Sequence, residues 1–556
     1  MMRGRGKALC AVLLAGLGAC SAAPRRGPPA ADLEENAFRN AVRSLADDEY
    51  EGRRPGTPGA DKTVEYIVTQ FHRIGLKPVA GDSYLQQVPL TEITPDASAS
   101  LGVSGRGVDK VLQYTKDMVI WTEREVTDAA LHGSELVFVG YGIVAPEFAW
   151  NDYAGIDVHG KTVLVMVGDP GHATKDPKIF RGNAQTYYGL WNYKVAEAAR
   201  HGAAGVLLIH DTGSAGYPWA AVVNSSTGPQ FELASAAGGA GRAAIEGWLS
   251  LAATRAVFTQ AGLDLQSLSE AAARAGFKAT SLGLTVDAAV HNTLRRIDSP
   301  NVVGVIPGRD RSRECVIYTA HWDGLGRQAA AAGEAILPGA IDDASGVAGL
   351  LSLAQSFSRT RPAADRSIVF IAFTGTEAGL LGSAYYASHP LFPLRTTVAA
   401  LNLDLLHIGG PTRDVMIYGY GNSDLEDYYR EAALLQGREV HGDADPELGL
   451  YYRLDPFSFA RSGVPALDAG AGLDDSARGP AWGQQHYLDY FANRYRQSTD
   501  KYSADWDVRG TLDDLHLYYE VGLRLAHSRG FPRFLPDSEF RSTNPPWRDA
   551  TAVDTQ

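Results

Sequence analysis

The chain is 556 residues long, 45% hydrophobic and 21% charged, a composition that excludes collagen-like, coiled-coil and disordered classes and predicts a large folded core. Its 64 acidic against 51 basic side chains give a formal net charge of -13, which speaks against a phosphate-backbone partner, so no nucleic acid is expected. The length predicts two or three domains, counting a long α/β domain as one.

In chain order, Arg3, Arg5 and Lys7 precede an apolar stretch, 8–17, too short to span a bilayer, and residues 1–19 read as a secretory signal. The stretch ends in Leu17-Gly18-Ala19-Cys20, which resembles the bacterial lipobox. That resemblance implies cleavage before Cys20 and lipidation of this residue, the alternative being an ordinary small-residue cleavage site. Either reading predicts export. The first adds a lipid anchor in the bacterial cell envelope, facing the periplasm, and Ser21 after Cys20 is compatible with outer-membrane sorting. Loss of three basic side chains with the signal takes the net charge to about -16. Once Cys10 is removed and Cys20 acylated, Cys315 alone remains, so no disulfide framework is expected.

A Pro- and Ala-rich tether, 20–34, leads into the first part of a folded domain, 35–133, which starts with two predicted helices on either side of the turn-rich run Gly52-Arg53-Arg54-Pro55-Gly56-Thr57-Pro58-Gly59. From 134 to 288 the pattern becomes β-rich. Residues 135–144 alternate like a strand, 163–167 and 206–209 are short β-branched or aliphatic runs, and 192–201 has helical spacing closed by Gly202. Gly140-Tyr141-Gly142, Gly160-Lys161-Thr162-Val163 and the run from Ala198 to Val206 resemble a protease-associated (PA) domain, whose motifs are structural.

From 289 to 535 strands and helices alternate: 315–320, 345–357, 368–373, 398–403 and 414–418, then a last helix from Thr511, read as its cap, with a tail at 536–556. The fold class is therefore α/β, a mixed central sheet covered by helices with an inserted β-rich domain. In such sheets active sites gather at the carboxyl ends of strands. His321 and Asp323 follow the first strand of this part, Glu377 the next, Asp404 the third, and Asp342 stands in a glycine-flanked turn. One imidazole and three carboxylates on one sheet edge repel unless a cation neutralises them, and His with carboxylate oxygen suits zinc. Asp323, two positions after His321, is placed to orient that imidazole.

His321-Trp322-Asp323, Gly339-Ala340-Ile341-Asp342-Asp343-Ala344-Ser345-Gly346, Glu377-Ala378-Gly379-Leu380-Leu381-Gly382-Ser383 and Asn402-Leu403-Asp404 resemble the dizinc exopeptidases that include bacterial leucyl aminopeptidases, glutamate carboxypeptidases and the transferrin receptor ectodomain. The resemblance implies that Asp342 bridges two metals, that His321 and Glu377 complete one shell, and that Asp404 belongs to the other. It also exposes departures. Arg496 stands where a His ligand is normal, Thr376 where the general-base Glu is normal, Arg453-Leu454-Asp455 where Ser-Asp-His is usual, and Gly324 where a His is frequent.

A threonine hydroxyl cannot relay a proton near neutral pH as a carboxylate does, and its presence at that position costs on the order of 10²- to 10⁴-fold. A guanidinium at 496 is expected to pair with Asp404 and Asp342 and to replace the second zinc electrostatically. The expectation is one zinc on His321, Asp342 and Glu377, or two if His407 or His486 supplies a substitute ligand. Two functions follow: a lipoprotein that keeps a peptidase fold to bind peptides or proteins with impaired catalysis, or an active metallo-aminopeptidase.

Overall fold

The computed structural model describes residues 33–541 apart from 97, 216, 331 and 332, so the expected signal, Cys20 and most of the tether lie outside the described residues. Helices α1 (Glu35–Leu45) and α2 (Pro58–Ile74) flank the glycine-rich turn as expected. Phe38, Val42 and Leu45 line the buried face of α1 at helical spacing; Ile67 and Phe71 do so on α2, which Thr57 caps and a left-handed Gly75 ends.

Strand β1 (Leu85–Pro95) then hands the chain to a second sheet built from β2 (Ser100–Gly105), β3 (Val108–Leu112), β4 (Met118–Trp121), β5 (Asp128–Phe138), β6 (Thr162–Met166), β7 (Gly205–His210) and, after β8 (Gln230–Leu233) has paired back onto β1, β9 (Ile245–Ser250). Strands β5, β6, β7 and β9 run parallel and β4 closes the edge antiparallel, with helices α3 (Trp191–Arg200) packed on β7 and α4 (Leu251–Ala261) on β9. The 27-residue strand β10 (Thr280–Ile306) joins the two sheets: its first half pairs with β2 and β5, its second with β1.

The insert is therefore wider than 134–288. Residue 134 falls inside β5, and β2 to β4, expected in the first part of the folded domain, belong to the insert's sheet. Interstrand pairing sets this boundary, near Asp96, and composition does not reveal it.

The main sheet continues through β11 (Arg311–His321), β12 (Arg366–Phe373), β13 (Thr397–Asn402), β14 (Asp414–Tyr418), β15 (Glu439–Gly442) and β16 (Ala466–Ala471). Its centre, in the order β12, β11, β13, β16, is parallel, and every residue of β12 and β13 is buried, as expected of strands covered on both faces. Four further helices position the site: α5 (Gly346–Arg359), α6 (Leu381–Ser388), α7 (Pro456–Arg461) and α8 (Pro480–Asn493), followed by the long α9 (Arg509–His527). Val316, Tyr318 and Ala320 of β11 pack with α5 and α9, while the alternate Cys315 and Ile317 pack with Tyr386 of α6 and Phe459 of α7.

Two smaller expectations are corrected. Helix α9 starts at Arg509 and Thr511 does not cap it; its hydroxyl donates to the His407 carbonyl instead. The folded body also runs past 535, because Phe540 is buried against Tyr451 and Phe457. Among the described residues no helix is long and apolar enough to cross a membrane.

Candidate active site

Three neighbouring parallel strands end side by side, and each delivers a polar group just past its last apolar residue: His321 from β11, Thr376 and Glu377 after β12, Asp404 after β13. The fourth group, Asp342, comes from the turn before α5, which buried partners hold from several sides. Arg53, 1% exposed, donates to the carbonyls of Leu45 (2.9 Å), Trp322 (3.0 Å), Pro338 (2.5 Å) and Gly339 (2.9 Å). The Asp500 carboxylate accepts the Ile341 and Asp342 N–H groups at 3.1 and 3.2 Å. Asp343 accepts from the His321 N–H (3.0 Å) and the Gly346 N–H (2.8 Å), tying the turn to the strand end and to the first turn of α5.

These supports bring one ligand atom each of His321, Asp342 and Asp404 within 4.8 Å of one another, all buried. His321 Nε2 lies 3.2 Å from Asp342 Oδ1 and 3.7 Å from Asp404 Oδ2. Two atoms each about 2.1 Å from a shared zinc at a tetrahedral angle stand about 3.4 Å apart, so this trio fits one ion. Asp404 Oδ1 is buried without a hydrogen-bond partner, which again suits a cation. The electrostatics agree. Burial opposes charge on His321, yet Asp404, Asp323 and Asp342 outweigh it and hold the imidazole well above its usual value. Burial pushes Asp404 well up, against the pull of His321. Asp342 is held down despite burial by His321, Arg496 and Arg53.

Glu377 is not in the trio. Arg496, in the loop after α8, places Nη2 at 2.5 Å from Glu377 Oε2, so the expected pairing of Arg496 with Asp404 and Asp342 is replaced by one with Glu377. The group whose ligand atoms lie together is thus His321, Asp342 and Asp404, where His321, Asp342 and Glu377 were expected, and one Glu377 oxygen is held by the Arg496 guanidinium. Burial still lifts the Glu377 carboxyl to about 7, with Arg496 the largest opposing influence.

Asp323 differs from expectation in part. Its backbone carbonyl, 3.1 Å from His321 Nδ1, orients the ring, while its carboxylate, 3.5 Å from the same nitrogen, accepts the N–H groups of Thr376 and Glu377 at 3.1 and 3.2 Å. It thus ties the two strand ends together. Thr376 donates its hydroxyl to Asp455, with Oγ1 3.0 and 3.2 Å from the two carboxylate oxygens. Burial raises this Asp455 carboxyl to about 6.

His407 and His486 form an edge-to-face pair with rings 5.7 Å apart, and His486 stacks on Trp482; neither belongs to the ligand trio. A side chain at Gly324 has no room, since a Cβ there lies 2.6 Å from the Gly52 carbonyl oxygen. Tyr451 and Tyr452 are packing residues, hydrogen-bonded to the Ala466 carbonyl and to Glu539. Above the trio lies a cleft of about 30 Å³ bordered also by Thr376, Arg453, Tyr495 and Arg496. Tyr217 of the insert places its ring 5.2 Å from the guanidinium of Arg453, which borders the cleft.

The sequence reading missed Arg53 and the role of Asp455. Arg53 sat in a run read as a turn, and the signal available was its dense glycine and proline context, which lets a guanidinium reach several backbone carbonyls. Asp455 was visible only as part of an altered motif.

A histidine and two aspartates buried at the carboxyl edge of a mixed sheet form a group able to hold a metal ion on an α/β fold. Residues 301–519 match the family model of Peptidase family M28. The chain is 32% identical over 228 residues to a "Probable zinc metalloprotease" of Pyricularia oryzae, covering 35% of this chain and 45% of that protein. It is 31% identical over 110 residues to the Bacillus subtilis aminopeptidase YwaD, covering 19% and 22%. The chain thus spans less than half the length of these curated relatives. Its fold matches an aminopeptidase from Aneurinibacillus sp. strain AM-1 with a TM-score of 0.51 at 20% identity, covering 90% of this chain and 95% of that one.

Proposed function

We propose that this protein is an exported, lipid-anchored member of Peptidase family M28 that binds peptides or protein termini and hydrolyses them weakly or not at all, with one zinc at His321, Asp342 and Asp404. The observation that carries this reading is the Arg496 to Glu377 ion pair. A permanent positive charge there neutralises the carboxylate that a second ion requires, and a second dication beside it adds repulsion. Thr376 adds to it, because the usual proton acceptor is replaced by a hydroxyl. Zinc held by the trio supplies electrophilic polarisation of a bound carbonyl. The chain's own residues then orient the ligand without a carboxylate base at 376.

One observation favours a second reading, an active metallo-aminopeptidase. The Thr376 hydroxyl is already hydrogen-bonded to Asp455, a carboxylate that could take a proton passed through it. Zinc content and aminopeptidase turnover of the purified mature chain, alongside Thr376→Glu with Arg496→His, separate the two. One zinc and negligible turnover, with both raised by the double substitution, supports the binding protein. Two zincs and brisk turnover in the unaltered chain refutes it.

A further inference from the structure

The cleft above the trio carries two guanidiniums, and their protein partners do not use them up. Arg496 spends Nη2 on Glu377, while its Nε is buried with no hydrogen-bond partner. Arg453 borders the same cleft and, among the described residues, forms no ion pair or hydrogen bond; its guanidinium lies against the Tyr217 ring. Among the nearby carboxylates, Asp342 and one Asp404 oxygen face His321, Glu377 takes only Nη2 of Arg496, and Asp455 accepts from Thr376, so none pairs with Arg453 or with Nε of Arg496. A buried N–H left unpaired is costly, and a guanidinium fork matches a carboxylate in geometry and charge.

We propose that Arg453 and Arg496 form a carboxylate-binding subsite, which takes the free carboxylate of a peptide ligand, either its C-terminus or an Asp or Glu side chain. This deepens the binding reading and rests on it. The small free volume suits a terminal or side-chain group rather than a folded segment. Arg496 anchors the inner edge, held in place by Glu377 beneath it and by the Tyr495 ring 5.1 Å from its guanidinium carbon. Arg453 closes from the side of the insert, backed by Tyr217.

The test is calorimetric titration of the full mature chain with three probes: trialanine, trialanine amide, and N-acetyl-Ala-Asp-Ala amide. The expected result is that trialanine, the aspartyl peptide or both bind at least about tenfold tighter than trialanine amide. Trialanine alone assigns the terminal carboxylate; the aspartyl peptide assigns the side chain. Arg453→Met is expected to abolish that advantage and Arg453→Lys to keep part of it, which a purely structural arginine would not do. If all three bind unaltered protein with equal strength, the subsite is refuted while the binding reading stands. If none binds at millimolar concentration, both fall. The comparison of acid with amide on the unaltered chain needs no variant to fold.

Discussion

Nη2 of Arg496 lies 2.5 Å from Oε2 of Glu377, on the same cleft where ligand atoms of His321, Asp342 and Asp404 lie within 4.8 Å of one another. The pair converts a carboxylate that the family pattern assigns to a metal into an internal counter-ion. The consequences are specific enough to measure.

Metal retention distinguishes the two carboxylates. Asp404→Asn is expected to lower zinc affinity by about 100-fold or more, because it removes one of three ligands, whereas Glu377→Gln is expected to leave one zinc bound. Metal analysis after dialysis against a weak chelator reads both. Equal loss in the two variants returns Glu377 to the metal shell.

Arg53 is expected to matter as much as a ligand. Its donors reach four carbonyls at 3.0 Å or less from three separate segments, and Arg53→Met leaves those carbonyls buried and unpaired. The expected cost is about 3 kcal/mol or more in urea unfolding, with weaker zinc binding as the Asp342 turn loosens. Arg53→Lys, a point charge without the planar fork, is expected to recover little of either. Full stability of Arg53→Met would contradict the bracing role.

Asp455 gives a pH signature. Its carboxyl is raised from 3.8 to about 6 by burial, so the folded state binds its proton more tightly than the unfolded chain. The resulting stability is complete below pH 3.8 and is lost as the pH rises through about 6. Asp455→Asn removes this dependence and is expected to gain about 2 kcal/mol on the unaltered protein between about pH 4 and pH 7.5, read by urea unfolding at each pH. If the second reading of function held, the same substitution would also abolish turnover.

His407 acts in the opposite sense. Burial lowers it from 6.5 to about 4, and its Nε2 has no partner, so the unfolded chain takes up a proton that the folded chain refuses. Stability is expected to fall as the pH drops from 6.5 towards 4, and His407→Gln is expected to flatten that part of the profile. Thermal melts across this range check it, and an unchanged slope in the variant would show that other groups govern acid unfolding.

Much of this molecule could be read along the chain. The runs ending at His321, Phe373 and Asn402 are apolar on both faces, which only a parallel strand covered on two sides tolerates, and so the polar residues that follow them had to emerge at one edge. His321, Glu377 and Asp404 could be placed on that edge for this reason, Asp342 from its glycine-flanked turn, and α1, α2 and the turn between them from helical spacing and glycine content. The boundary of the insert was not, because β2 and β5 find their partner in β10, more than 140 residues downstream.

Sequence by itself thus determined the strands that carry the site, their order of appearance and the residue types gathered at their ends, since periodicity and residue type are local properties. Only the tertiary structure decided which carboxylate Arg496 takes, that Arg53 braces the Asp342 turn, and that Asp455 stands behind Thr376. Each of those contacts joins residues 79 to 286 positions apart, and a long charged side chain chooses among several acids by distance and burial, neither of which is written in residue order.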